Sequence, residues 1–162
     1  MVPSVKTLLS ISLMASLPMV ALADPKPRNA RPASAQKVIN TYSGKTDLWE
    51  QGCQGGIYLS PNKRARAWCS ENSDSMAAGT WSVSQDGTLC QNLTWFWSEG
   101  ANVGSSVSEP LCIQHVINSW GVMYRRWPGG SEWWPMTNSN SSLRRGYVYQ
   151  SDVAKARDKI GL

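Results

Sequence analysis

The chain has 162 residues, 16 Lys and Arg against 11 Asp and Glu, a net charge of +5 and a single histidine. That length suits one domain, able to bury roughly two-thirds of its unfolded surface. The modest positive charge favours anionic partners without specifying one, and one histidine with widely spaced cysteines argues against a metal site.

The amino terminus reads as an export signal. Lys6 is the only charge before an apolar run from Leu8 to Leu22, which ends in Ala21-Leu22-Ala23 and Asp24. A charged start, an apolar stretch and an A-x-A site predict a signal peptide over 1–23, cleaved after Ala23. Pro18 sits badly in a spanning helix, which needs about 20 clean apolar residues. No later segment is apolar enough to span a bilayer, so the product is expected to be periplasmic or secreted and not membrane-spanning. Residues 24–33, DPKPRNARPA, have little to bury and predict a flexible leader. A single β-rich, disulfide-bonded domain is expected over 34–162.

Ser34 is placed to cap a short helix over 35–42 that Gly44 ends. Short runs rich in Val, Ile, Tyr, Trp and Thr, divided by turn residues, then predict strands at 55–60, 64–69, 79–84, 88–97, 111–117, 120–127, 131–136 and 144–149. Polar loops are expected at 70–78, 98–109 and 137–143. Ser151 is placed to cap a last helix over 152–160, stopped by Gly161, with Val153, Ala156 and Ile160 on one face. The class implied is all-β, an antiparallel sandwich or small barrel of about seven or eight strands, with short helices at its N- and C-terminal ends.

Cys53, Cys69, Cys90 and Cys112 all follow the cleavage site, and an even count in an exported chain reads as two disulfides. Of three connectivities, Cys53–Cys69 with Cys90–Cys112 is favoured because each pair brackets a plausible local excursion. Spacing alone leaves all three open.

Two hairpins can be read in register. In GTWSVSQDGTLC (79–90), a two-residue Asp86-Gly87 loop pairs Val83 with Cys90. A three-residue loop with Gly87 in a bulge pairs Val83 with Leu89, and puts Trp81, Val83, Leu89 and Leu93 on one face. The second is preferred, since a one-residue slip inverts every side chain. In YRRWPGGSEWWPM (124–136), a Pro128-Gly129-Gly130 loop sets Arg126 opposite Glu132 and Tyr124 opposite Trp134. Val122 then faces Met136, and Trp120 joins this core face. Met123, Arg125, Trp127 and Trp133 take the outer face, with Arg125 near enough to Trp133 for a cation–π contact.

YSGKTDLW (42–49), GGIYLSPNKRARAW (55–68), GTWSVSQDGTLC (79–90), the later Cys112 and YRRW (124–127) together resemble a family of small exported proteins. These come from alphaproteobacteria, rhizobial relatives especially, and the family is catalogued only as a domain of unknown function. The resemblance covers most of the chain after the signal, and G-T-W-x-V-x-x-D-G-x-L-C is its most specific element. It implies export to the periplasm of a Gram-negative bacterium, a β-rich single domain and a Cys90–Cys112 bridge, and it brings no catalytic residues. Gly79-Thr80-Trp81 is also similar to a tripeptide of lipocalin-like and avidin-like barrels, where it lies in the first strand rather than mid-chain.

No G-x-S-x-G, free thiol or glycine-rich phosphate loop is present, and no cofactor is expected. His115 alternates with Leu111, Ile113 and Ile117, the pattern of an inward, structural histidine. A glycan hydrolase would need two acids; Glu132, beside Trp133 and Trp134, is the best candidate, with a second acid from Asp47, Glu50, Asp86, Glu99 and Glu109, or with His115.

Nine tryptophans are the anomaly. Trp49, Trp68, Trp81, Trp95 and Trp120 suit a small β core, and Trp95 and Trp97 share a strand face. Aromatics near a turn mark interaction sites when exposed; flat indoles suit sugar rings, and arginines suit phosphate or carboxylate. The leading expectation is therefore a non-catalytic envelope binding module with Arg125, Trp127 and Trp133 as contacts, and Arg64 and Arg66 beside them. Its partner would be an envelope glycan, a lipid head group or another envelope protein. Nucleic acid is not expected in an exported chain. The alternative is the envelope glycan hydrolase.

Overall fold

A computed structural model describes residues 25–49, 52–139 and 141–162. The predicted signal peptide, the cleavage site and Glu50 lie outside the described residues.

The strands form one antiparallel sheet of eleven, curled into a half-barrel with a helix near each end. In chain order they are β1 (Arg31–Pro32), β2 (Lys45–Trp49), β3 (Gly55–Leu59), β4 (Arg64–Cys69), β5 (Ser75–Val83), β6 (Leu89–Glu99), β7 (Asn102–Val107), β8 (Leu111–Ile117), β9 (Met123–Arg126), β10 (Trp134–Pro135) and β11 (Leu143–Arg145). Across the sheet the order is β10-β9-β8-β6-β5-β4-β3-β2-β11. The short β1 joins β8, and β7 joins the free edge of β6 beyond the three residues where β8 pairs it. The all-β expectation with terminal helices stands, as a barrel-like single sheet.

Three strands escape the sequence reading. In β2, KTDLW, it is Thr46 and Asp47 that are buried, so an apolar search passes over it. β7, NVGSSV, is exposed at five of six positions, which reads as loop. β1 lies within the predicted flexible leader, yet it pairs with Val116 and Ile117, and Ala33 behind it is fully buried with its N–H donating to His115 O at 3.0 Å.

The core follows strand alternation. Ile57 and Leu59 of β3, Ala65 and Ala67 of β4, Ala77 and Trp81 of β5, and Leu89 and Leu93 of β6 line the concave face. Trp81 is buried, and its indole N–H donates to Ser60 O at 2.9 Å. An indole of this size buries enough apolar surface for roughly 4–6 kcal/mol of gross stabilisation. The first helix, α1 (Ala35–Tyr42), adds Val38 and Tyr42 to this core. Ser34 Oγ accepts from Lys37 N–H at its start, and Gly44 follows in a left-handed conformation.

The second helix, α2 (Gln150–Ile160), lies on the convex face. Val153, Ala156 and Ile160 pack on Met76, with Trp68, Phe96 and Tyr147 around them. Gly161 closes it with a left-handed turn, as read from sequence, but the helix starts at Gln150 without a side-chain cap from Ser151. The preceding segment turns at Tyr147–Tyr149 rather than continuing as a strand, so β11 is shorter than the predicted 144–149.

The first hairpin adopts the three-residue loop. Val83 pairs with Leu89, Ser84 N–H donates to Thr88 O, and Gly87 has φ +78°. A Cβ at Gly87 would also strike Ala33 O, so only glycine fits there.

The second hairpin is shifted by one residue from the expected register. Tyr124 pairs with Pro135 and Arg125 with Trp134. The segment from Trp127 to Trp133 is longer than a three-residue turn, and it begins with Gly130 N–H donating to Trp127 O. The slip inverts the faces: Met123 joins the core, Arg125 points inward, and Trp120 is 89% exposed in the preceding turn.

Cys53 is joined to Cys69 and Cys90 to Cys112, with Cα atoms 5.6 and 4.0 Å apart. The first closes the open end of the β3–β4 hairpin, and the second cross-links paired residues of β6 and β8.

Candidate functional site

The sequence-predicted contacts do not form one surface. Arg125 donates through Nη1 to both carboxylate oxygens of Asp47, at 2.9 and 3.1 Å, and through Nη2 to Ser142 Oγ. Its side chain is 14% exposed and that of Asp47 1%. Burial alone would lower the guanidinium's pKa, but the charge and hydrogen bonds of Asp47 and Tyr42 together outweigh that, so it stays above its ordinary value. Trp127 is half-buried, with the Arg125 guanidinium 5.0 Å from its ring centroid. Trp133 is buried and is met by Arg126, not Arg125, at 5.1 Å. Arg64 and Arg66 lie on β4, which β8, β6 and β5 separate from β9. Arg64 is exposed, and Arg66 is half-buried beside α2.

Next to the Asp47–Arg125 pair, His115 is buried between two partners. Gly87 O, a carbonyl, can only accept, so His115 Nδ1 carries the proton and donates to it at 2.9 Å. In the neutral ring Nε2 then accepts from the Tyr42 hydroxyl at 2.8 Å. Burial pushes the His115 pKa down to about 4, against the pull of the Gly87 carbonyl. Burial also raises the Tyr42 phenol well above its ordinary value, with the Asp47 charge adding to the effect. Both imidazole nitrogens are thus committed, and the group is built as a core network rather than as a solvent-facing base. Glu132, the candidate acid, is exposed in the turn before β10.

A different pair of tryptophans faces an open cleft. Trp95 and Trp97 of β6 project to the concave face, beyond the last core leucine of that strand, Leu93. Opposite Trp97 stand Ser75 on β5 and Gly104 on β7, and Ser106 stands opposite Trp95. The absence of a side chain at Gly104 is what seats the indole: a Cβ there would collide with Trp97 Nε1 and its six-membered ring. Both tryptophans are half-buried. With Asn72, Asp74, Ser75, Ser98 and Ser106 they line a cleft of about 620 Å³, within the size range of small-ligand sites. The ring of Trp49, tilted by 44° and 6.4 Å away, backs Trp95. Asp74 at the rim is paired with Lys159 of α2.

Such a cleft offers indole faces to an apolar ring surface and a fringe of hydroxyl and amide groups to polar substituents. Among the described residues no group of three or more His, Cys, Asp or Glu is placed to hold a metal. The sequence already put Trp95 and Trp97 on one face. It did not disclose β7, whose Gly104 and Ser106 supply the other wall; the usable signal was Gly and Ser alternating with exposed residues in NVGSSV.

The sequence from residue 10 to residue 148 matches a family described as a protein of unknown function, DUF995. No curated protein and no solved structure matches the chain.

Proposed function

The chain belongs to the DUF995 family, and from that premise we propose that it is an exported, non-catalytic envelope protein that binds a glycan in the Trp95–Trp97 cleft. The observation that carries this reading is the pair of half-buried indoles on one strand face, open to a cleft edged by serines and Asn72. Sugar rings present an apolar face that stacks on indole and hydroxyls that pair with such polar fringes. Export rests on the amino-terminal signal pattern, with two disulfides and the absence, among the described residues, of any helix long and apolar enough to cross a membrane as consistent features.

Titration calorimetry of the purified protein with neutral and N-acetylated oligosaccharides tests the proposal. Replacing Trp97 by Ala is expected to weaken binding about tenfold or more, the usual worth of a stacked aromatic contact. Trp95→Ala is expected to act in the same direction. Absence of any saccharide binding, or binding indifferent to both substitutions, would sink the reading.

A further inference from the structure

A second cavity lies on the opposite, convex face, along the side of α2. Its volume is about 520 Å³, and its floor is apolar: Met76 and Ala78 of β5, Phe96 of β6 and Val153 of α2. Two cations, Arg66 from β4 and Arg157 from α2, stand in its lining, and no Asp or Glu does. Among the described residues, Arg157 pairs only with its exposed neighbour Asp158, at 3.5 Å. Arg66 has no carboxylate partner among the described residues and spends one N–H on the adjacent Ala65 O.

Tyr147 lines the same cavity. Its ring stacks on Tyr58 at 4.5 Å, nearly parallel, yet its hydroxyl is shielded from solvent and has no hydrogen-bond partner among the described residues. A buried hydroxyl left unpaired costs free energy. An acceptor group brought in beside Arg66 would relieve that cost and the unmatched positive charge together.

We propose that this cavity binds a free fatty carboxylate, with the acyl chain on Met76, Ala78, Phe96 and Val153 and the carboxylate held by Arg66, Arg157 and the Tyr147 hydroxyl. The apolar floor selects the chain, and the two guanidinium groups select the anionic head. The site is independent of the glycan cleft, which lies on the other face of the sheet.

Calorimetry of the purified protein with decanoate below its micellar concentration tests this, with decanol and decyltrimethylammonium as controls. Decanoate is expected to bind about tenfold or more tightly than either control, the worth of charge-assisted hydrogen bonds. Arg66→Gln is expected to remove that margin while leaving decanol unchanged. Ala154→Glu, an exposed helix position at the cavity wall, leaves the core untouched and is expected to weaken decanoate through repulsion at the mouth. Equal affinity for decanoate and decanol, retention of full decanoate affinity in Arg66→Gln and Ala154→Glu, or no binding at all would overturn the proposal. Binding only to anionic vesicles, with none to free decanoate, would also overturn it.

Discussion

The chain has two tryptophan-rich segments, and they do opposite things with the same side chains. In Trp95-Phe96-Trp97, the two indoles face a cleft and the phenylalanine packs under α2. In the 124–136 segment, two of the three indoles are drawn into the protein's own contacts, Trp127 under Arg125 and Trp133 under Arg126, while Trp134 stays 41% exposed. Aromatic density therefore does not by itself mark a binding surface. What decides is whether neighbouring cations and strands consume the rings, and that depends on register. Opposite Trp97 stands a glycine, which seats the indole beside the cleft; opposite Arg125 stands Trp134, and facing it across the barrel is a buried carboxylate.

The sharpest way to break this contrast is to free Arg125. Asp47→Ala leaves a buried guanidinium without its counter-charge, and the expected loss is about 3–5 kcal/mol of stability by urea unfolding. A loss under about 1 kcal/mol would mean that the hairpin's arginine is not committed to the fold, and the 124–136 segment would return as a candidate surface.

Acid provides the next test. His115 has its pKa lowered to about 4 by burial, from an ordinary 6.5. The unfolded chain therefore takes up the proton first as pH falls. The neutral ring's contribution is complete above pH 6.5 and is lost progressively toward pH 4, about 3 kcal/mol at most. Tyr42, Asp47 and Arg125 are the polar groups facing this ring network. Stability measured across that window should fall in the parent and fall less in His115→Gln; parallel curves would show that His115 does not titrate with folding.

The smallest effect sharpens the comparison most. Trp127→Ala removes a half-buried ring and one cation–π contact, and about 1 kcal/mol of stability is expected to go with it. Oligosaccharide affinity should stay unchanged. If affinity falls as it does for Trp97→Ala, the two segments share one site and the contrast fails.

Where local rules and packing agree, the sequence was readable. Ser34 and Gly44 bracketed α1, the Gln85-Asp86-Gly87 loop set its own register, and Val153, Ala156 and Ile160 showed which side of α2 is covered. His115 was correctly placed inward by alternation. The rest failed for identifiable reasons. β2 buries Thr46 and Asp47, so its inner face carries a charge whose partner lies 78 residues away. The pairing of Arg125 with Asp47 is a tertiary event, and without it either register of the second hairpin satisfies local patterning. The cleft needed β7, a strand held by its neighbour rather than by its own apolar residues.

Asp47 and Arg125 come from β2 and β9, each next to a terminal strand of the sheet. Among the described residues no backbone ladder joins β10 to β11, so the half-barrel is fastened along that line by side chains and by the covalent stretch running from one terminal strand to the other. A wall sewn by hydrogen-bonded strands must unzip several bonds to part, whereas this line is held by one ion pair, Ser142, the Tyr42–His115 hydrogen bond and packed residues of the shared core. Along this line side chains take the place of a ladder, and the Tyr42–His115 hydrogen bond is one of the links across it. The hydrogen-bond ladders of β3 to β6 therefore carry the sheet, and a few polar side chains carry its closure.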